Sequence, residues 1–250
     1  MKKENKRIFW SVLVYTFLSL VIVYSGIQIY NWYKDNKHNN EIKEKTNSAV
    51  ITDNSNTYGE KKYTINFESL KSQNNDTVAW IKVKNTNIEY PVVKSKDNEF
   101  YLNHSFDKSN NTAGWIFADY KNKFDGTDKN IVIYGHNRKD NSMFGSLKNV
   151  LNPDWYNESE NSDIIFITEN EKCIYKVFSV YQIEKESYYI KTQFSDDSEY
   201  KKFIKTIKER SIKNFGTDVS ENDSILTLST CAGNDKDRIV MHAKKYSNYN

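Results

Sequence analysis

The chain has 250 residues, enough for one domain of ordinary size with appended segments. It holds 36 basic and 33 acidic residues, but four of those bases and one of those acids lie within residues 1–30, so the remainder carries no net charge. This balance gives no support to nucleic-acid binding, which requires a basic surface.

The N-terminal segment is strongly apolar. Ile8 to Tyr30 are 23 consecutive positions without a charge. As a helix they reach roughly 34 Å, enough to cross a hydrocarbon core of ~30 Å. A cleaved signal peptide is the alternative, but its apolar region is about 7–15 residues long and ends at a small-residue cleavage site, and neither property fits. We therefore predict that residues 8–30 are a retained transmembrane anchor.

The charges around this segment predict its orientation. The preceding residues contain Lys2, Lys3, Lys6 and Arg7 against a single acid. Positive flanks stay in the cytoplasm, so we expect residues 1–7 to be cytoplasmic and the rest of the protein to be extracellular. Residues 31–62 are rich in Asn, Lys, Glu, Ser and Thr and predict a mobile or partly helical tether. Residues 63–250 form the predicted globular domain.

The globular part reads as many short strands with a few inserted helices. Alternating or continuous apolar runs predict strands over 78–83, 88–93, 114–118, 130–134, 163–168, 172–183, 224–230 and 238–244. Helical spacing of apolar residues predicts helices over 66–72, 142–151 and 196–210. Such a pattern is typical of a mainly β fold with inserted helices (α+β), closed or nearly closed into a barrel.

Three chemically distinctive residues stand near strand ends. Cys231 ends the run Thr227–Cys231, Arg238 follows seven residues later, and His136 lies near the end of Ile131–Asn137. A thiolate is a nucleophile that a nearby cation stabilises, and an imidazole can transfer protons to and from a leaving or attacking amine. A guanidinium is a fixed charge suited to an oxyanion. This set predicts acyl transfer through a thioester.

Other histidines compete for the same role. His38 lies in the tether and is expected to be solvated, and His104 lies in a loop with no strand to position it. His242 is the stronger rival, because in a regular strand it shares a face with Arg238. Spacing alone does not choose between His136 and His242.

The cysteines, Arg238 and a group of acidic residues also have possible structural roles that involve no catalysis. Cys173 lies in a strand-like run and reads as a small buried thiol, although a secreted chain could pair it with Cys231. Arg238 could form an ordinary surface salt bridge with Asp235 or Asp237. Three acids between two predicted strands suggest a calcium loop, but their spacing is not that of an EF-hand, so we predict no metal. These acids are Asp119, Asp125 and Asp128.

The motifs together resemble the sortases, and more narrowly class B sortases. The resemblance is carried by Thr227–Cys231, by Arg238 within the run to Lys244, and by Tyr134-Gly135-His136-Asn137. A helix predicted inside the long insert between the strands ending near Ile183 and starting at Ser224 is also a class B trait. The resemblance extends over roughly residues 63–246.

The resemblance implies a membrane-anchored cysteine transpeptidase of Gram-positive bacteria with an eight-stranded barrel and no cofactor. Such an enzyme cleaves the C-terminal sorting signal of a surface protein after a threonine and holds the fragment as a thioester, here on Cys231. An amine of the peptidoglycan cross-bridge, or of its lipid-linked precursor, then releases the fragment. His136 and Arg238 match the other two catalytic positions of the family.

The same resemblance implies a set of substrate-binding residues that line a peptide groove. Hydroxyl or backbone groups at the end of the Cys231 strand are expected to add hydrogen bonds there. The implied residues are Asn98, Leu102, Tyr134, Tyr188, Tyr189, Ser229 and Thr230.

Two other functions remain open on the residues alone. A papain-like cysteine hydrolase acting on cell-wall peptides is disfavoured because it places the cysteine before the histidine in the chain, whereas His136 precedes Cys231 here. A non-catalytic, membrane-anchored surface scaffold predicts a buried or disulfide-bonded Cys231. Product analysis and thiol labelling, respectively, distinguish these alternatives from a transpeptidase.

Overall fold

The computed structural model describes residues 2–53, 62–184, 186–231 and 237–248. Of residues 2–4, 53, 231 and 248 it describes only the backbone. The chain begins with a 46-residue helix, α1 (Lys2–Asn47). In the described part of the chain, α1 is the one helix long and apolar enough to cross a membrane, and its apolar side chains between residues 8 and 30 are exposed.

The helix continues past the apolar segment into the predicted tether, which is thus helical as far as Asn47. Its last third docks on the loop over residues 105–114 through buried Asn39, which is 4% exposed. The Asn39 amide nitrogen donates to the Gly114 carbonyl at 3.2 Å, and its oxygen accepts from Ser105 Oγ at 2.5 Å and Asn111 Nδ2 at 3.1 Å. The Asn39 amide therefore joins α1 to three points of the loop.

Replacing Asn39 with alanine is expected to destabilise the folded domain by about 2 kcal/mol or more, because buried polar partners lose their hydrogen bonds. The measurement is urea unfolding of the full chain in detergent, with tryptophan fluorescence as the readout. Asn40→Ala is the matched control, since Asn40 is exposed on the same helix. Equal unfolding midpoints for the two variants would contradict the role assigned to Asn39.

The remaining elements are short. The helices are α2 (Phe67–Gln73), α3 (Pro153–Tyr156) and α4 (Asp197–Glu209), with 3₁₀ turns at Phe100–Leu102, Gly145–Leu151, Ser159–Ser162 and Tyr188–Ile190. The strands are β1 (Val50–Asp53), β2 (Lys62–Ile65), β3 (Thr77–Val83), β4 (Glu89–Val93), β5 (Phe117–Ala118), β6 (Asn130–His136), β7 (Asp163–Ile167), β8 (Lys172–Glu184), β9 (Ile225–Cys231) and β10 (Asp237–Asn248).

Eight of these strands close into a barrel, which confirms the predicted fold. Their order is β10-β8-β7-β3-β4-β5-β6-β9, and β9 pairs with β10 to complete the circle. The pairs β4–β5 and β6–β9 are parallel, and the other pairs are antiparallel. Strands β1 and β2 form a separate hairpin. Because β6 and β9 run parallel, their carboxyl ends meet at one rim of the barrel.

Helix α4 covers the outer face of β8, β9 and β10. Its buried side chains Tyr200, Phe203, Ile204 and Ile207 recur at helical spacing and pack against Phe178, Ile225 and Val240. The Asp196 side chain caps the helix by accepting from the Glu199 N–H at 2.8 Å. The predicted helix over 196–210 is therefore confirmed.

Two predicted elements differ from the structure. The predicted helix over 142–151 is a 3₁₀ turn that begins only at Gly145, because Asn141 and Met143 adopt positive φ angles of 63° and 50° that an α-helix excludes. The predicted strand over 114–118 pairs only at Phe117 and Ala118, since Gly114 adopts a left-handed φ of 59° and breaks the extended run.

Candidate active site

The ends of two parallel strands bring the predicted histidine and cysteine together. Tyr134 pairs with Ser229, Gly135 with Thr230, and His136 with Cys231, which ends β9. Neighbouring strands lie about 4.8 Å apart, so the two backbones are adjacent at the barrel rim. The side chain of Cys231 lies outside the described part of the structure.

Gly135 explains how β6 can present His136. A Cβ atom at Gly135 would come within 2.5 Å of Ile116 Cδ1 and 2.7 Å of Phe144 Cγ, so the inward position of the strand has room only for glycine. Side chains alternate along a strand, so His136 lies on the opposite face from this close contact. The packing against Ile116 and Phe144 thereby fixes the strand that carries the histidine.

A backbone carbonyl fixes the tautomer of His136. The Nε2 atom of His136 lies 2.7 Å from the Leu102 carbonyl oxygen. A carbonyl oxygen only accepts, so Nε2 carries a hydrogen and Nδ1 is the nitrogen that gains or loses a proton. Burial lowers the pKa of His136 and the nearby Arg138 charge lowers it further, although the Leu102 carbonyl acts in the opposite direction. The neutral ring is thus favoured at neutral pH.

Arg238 is nearly buried, with 5% of its surface exposed. The antiparallel β9–β10 ladder ends where Val240 pairs with Ser229, and the Ile239 N–H then donates to Thr230 Oγ1 at 3.0 Å, so Arg238 lies just beyond the last paired residues. Its Nη1 donates to the Asp237 carbonyl oxygen at 3.1 Å, whereas the Asp237 carboxylate accepts from Gln182 Nε2 at 2.7 Å. Arg238 therefore does not have the environment of an ordinary surface arginine; Asp235, its other predicted salt-bridge partner, lies outside the described residues.

His242, the rival histidine, is completely buried. A directional chain of hydrogen bonds holds it: Tyr188 donates to the Tyr181 hydroxyl at 3.2 Å, and that hydroxyl lies 2.9 Å from His242 Nε2. On the other side, Nδ1 lies 2.8 Å from Thr227 Oγ1, whose hydrogen goes to Asn130 Oδ1. Both ring nitrogens are engaged inside the protein, so His242 is a structural residue beneath α4.

The burial of His242 predicts a loss of stability in acid. Complete burial lowers its pKa to about 3, whereas an unfolded histidine titrates near 6.5. The neutral ring contributes its full stability above pH 6.5, and this is lost as pH falls towards 3, by about 1.4 kcal/mol per pH unit. Between pH 7 and 5 the wild-type chain is expected to lose about 2 kcal/mol more than His242→Gln. Urea unfolding of both proteins at several pH values measures this difference. If the free energies of unfolding of the two proteins changed with pH in parallel, the prediction would be contradicted.

A groove opens beside the ends of β6 and β9, with a volume of about 600 Å³. Six of the seven predicted substrate-binding residues line it: Asn98, Leu102, Tyr134, Tyr189, Ser229 and Thr230. Arg238 lines it too. Tyr188, the seventh, does not line the groove; its ring packs under the Arg210 guanidinium at 5.0 Å. The Tyr189 hydroxyl lies 3.0 Å from Ser229 Oγ and joins the insert to β9.

The sequence did not identify four other residues of this lining, namely Phe117, Glu186, Ser187 and Ile190. Three of them belong to the insert before α4, where no periodic pattern indicated a role. The insert reaches the groove because the 3₁₀ turn at Tyr188–Ile190 folds back against β9. Only the class B resemblance, which pointed to the region around Tyr188 and Tyr189, gave a signal for this wall.

The remaining candidates lie elsewhere. Cys173 is buried, its pKa is raised to about 12, mainly by burial, and it lines a separate cavity at the opposite end of the barrel. His38, on the docked part of α1, forms hydrogen bonds with the side chains of Asp107 and Ser109 in the loop. His104 stacks on Phe100 at 3.9 Å. None of these side chains lines the groove.

Comparisons with known proteins agree with this geometry. The sequence profile of the sortase domain matches residues 81–246. Sortase B of Listeria monocytogenes is 33% identical over 237 residues, which cover 90% of this chain and 95% of that protein. A sortase B structure from B. anthracis superposes with a TM-score of 0.75 at 33% identity, covering 86% of this chain and 99% of that one. The Staphylococcus aureus sortase B–substrate complex gives a TM-score of 0.68 at 36% identity, over 72% and 85% of the two chains.

The family match, the two-thirds of the chain that it covers and the shared barrel lead to one conclusion. This chain belongs to the sortase family of cysteine transpeptidases, and within that family to class B.

Proposed function

We propose that this sortase cleaves the C-terminal sorting signal of surface proteins after a threonine and holds the retained fragment as a thioester on Cys231. An amine of the peptidoglycan cross-bridge, or of its lipid-linked precursor, then receives the fragment. The observation that supports this proposal most strongly is the strand register that pairs His136 with Cys231. The ends of these strands lie next to a groove that Arg238 lines, although His136 is not one of the lining residues.

In the proposed acylation step, the Cys231 thiolate attacks the threonine carbonyl carbon and forms a carbon–sulfur bond. The carbonyl electron pair moves to oxygen, and the guanidinium of Arg238 stabilises the resulting oxyanion or holds the peptide backbone next to it. The carbon–nitrogen bond then breaks, and protonated His136 gives its proton to the leaving amine. The products of this step are the thioester and the free C-terminal peptide.

In the proposed transfer step, neutral His136 takes a proton from the incoming amine while the amine nitrogen attacks the thioester carbon. The carbon–sulfur bond breaks, and the thiolate leaves. The hydrogen bond from Nε2 to the Leu102 carbonyl supports Nδ1 as the nitrogen that makes both proposed transfers. Because the pKa of His136 is lowered, the neutral base needed for this second step is the dominant form at neutral pH, and the acid needed for the first is the minor form.

The proposal includes a membrane topology. Residues 1–7 lie in the cytoplasm, residues 8–30 span the membrane, and residues 31–62 hold the catalytic domain, 63–250, outside the cell. The basic residues before the apolar segment and the long exposed helix support this arrangement.

The test uses the full chain in detergent, a library of extended peptides with a central threonine, and triglycine as the amine. We expect mass spectrometry to find peptides cut after threonine and joined to triglycine. Free acid as the sole product at saturating triglycine would contradict transfer and favour the hydrolase. Failure of every library peptide to turn over, together with an unreactive Cys231 thiol, would favour the scaffold.

A further inference from the structure

A buried carboxylate lies directly behind one wall of the groove. Asp119 follows β5 and is 3% exposed. Its Oδ2 accepts two hydrogen bonds, from Asn98 Nδ2 at 2.8 Å and from the Tyr134 hydroxyl at 2.8 Å. Its Oδ1 accepts from the Lys121 N–H at 2.9 Å. Asn98 and Tyr134 both line the groove, so a single oxygen holds two of its polar side chains.

These bonds determine what the two side chains present to a ligand. Tyr134 gives its one hydroxyl hydrogen to Asp119, so towards the groove its oxygen acts only as an acceptor. The Asn98 oxygen accepts from the Tyr120 N–H at 3.0 Å, which excludes the flipped amide orientation. The second N–H of Asn98 is therefore a donor. A donor beside an acceptor is the complement of a peptide or side-chain amide, which carries one of each.

We propose that Asp119 is a positioning residue that fixes the hydrogen-bonding polarity of the Asn98–Tyr134 wall and thereby the binding of an amide of the sorting peptide. The inference rests on the proposed function, because it assigns a task within the same groove. Asp119 acts through Asn98 and Tyr134 and takes no part in the bond-making steps. It therefore affects ground-state and transition-state binding of the peptide equally.

The substitution Asp119→Asn tests this assignment with little change in shape. An amide has one acceptor oxygen and one NH₂ group, so it cannot accept from Lys121 on one side and from Asn98 and Tyr134 on the other. With its NH₂ towards the groove, it donates to the tyrosine oxygen and turns the Tyr134 hydroxyl hydrogen into a donor for the peptide. The wall then presents two donors, which mismatch an amide.

The experiment measures kcat and KM for the full chain with the threonine peptide that the wild-type protein turns over fastest. We expect Asp119→Asn to raise KM about tenfold while kcat stays within about threefold, because uniform binding is lost. The matched control is Asp128→Asn. Asp128 also accepts from an asparagine amide and from backbone N–H groups, but it lines the cavity at the opposite end of the barrel.

A merely structural role for Asp119 predicts a different result, in which both variants lower the thermal midpoint and neither changes KM. That result would overturn the proposal, as would a fall in kcat at constant KM. A second measurement introduces Asp119→Asn into an Asn98→Ala, Tyr134→Phe background. There we expect it to change KM less than about twofold, because the residues through which it acts are gone. A tenfold rise in KM that persists in this background would contradict the claim that Asp119 acts through Asn98 and Tyr134.

The failure of this inference differs from a failure of the proposed function. If the wild-type chain turns over the peptide and Asp119→Asn has the same KM, only the role of Asp119 is wrong. If the wild-type chain acylates no peptide at all, the proposed function itself is wrong. The wild-type measurement in the same series separates the two outcomes.

Discussion

Replacing Cys231 with alanine is expected to abolish turnover of the sorting peptide, lowering kcat by at least about 10⁴-fold. The reason is chemical: alanine cannot form a thioester, and direct attack by water or an amine on an amide has no covalent intermediate to divide the barrier. Initial rates with and without triglycine, followed by mass spectrometry, measure the effect. Turnover by the alanine variant within tenfold of wild type would contradict the nucleophile assignment.

Cys173→Ala is the matched control for this loss. Cys173 is the other cysteine of the chain, but it is buried on β8, where it pairs with Phe166 of β7 at the far end of the barrel, and its raised pKa keeps it a neutral thiol. We expect this variant to keep wild-type kcat within about twofold and to lose some stability from the small cavity. A large loss of turnover in Cys173→Ala would show that the assay responds to general damage.

Arg238→Lys is expected to lower kcat/KM by about 10²–10³-fold, although the positive charge is kept. A guanidinium offers several hydrogen-bond donors in a fixed plane. A lysine ammonium is a point charge on a flexible stem and cannot place its donors in the same planar arrangement. The near-complete burial of Arg238 in the groove wall makes this geometry matter. Steady-state kinetics with the threonine peptide provides the measurement.

The same substitution at Arg210 serves as the control for Arg238→Lys. Arg210 follows α4, is about half exposed, and lies 3.6 Å from Glu186 across a surface ion pair. Such pairs contribute little, so kcat/KM of Arg210→Lys is expected to stay within about threefold of wild type. Equal effects at the two arginines would mean that Arg238 acts as a general surface charge, and the oxyanion assignment would then be wrong.

Most of the strands could be predicted from the sequence, because apolar and polar residues alternate within each strand and this pattern is local. The strand ending at Cys231 and the one containing His136 were both predicted close to their observed ends. What the sequence could not provide was which strands become neighbours. The parallel pairing of β6 with β9 depends on closure of the barrel, a tertiary event with no local sequence signal.

The choice between the two histidines illustrates this limit. His242 and Arg238 do share a face of β10, as the alternation predicts. That face runs under α4, however, and His242 is completely buried beneath the helix. Burial by an inserted helix cannot be read from strand spacing. Only the position of α4 in the folded protein shows that His242 is enclosed and that His136 lies at the rim.

Asp119 shows the same limit from the other side. In the sequence it is one of three acids in a loop, and the only pattern that it suggested was a calcium loop with the wrong spacing. Its partners Asn98 and Tyr134 are 21 and 15 residues away along the chain. Their convergence on one carboxylate oxygen becomes visible only once β5 and β6 are paired.

The most direct test of the account is the intact mass of the enzyme quenched in acid during turnover of a threonine peptide without an added amine. We predict a mass increase equal to the peptide fragment ending at threonine, located on Cys231 by peptide mapping and removed by hydroxylamine, as expected of a thioester. An unmodified enzyme during active cleavage, or a fragment attached to Cys173 or to any other residue, would contradict the mechanism.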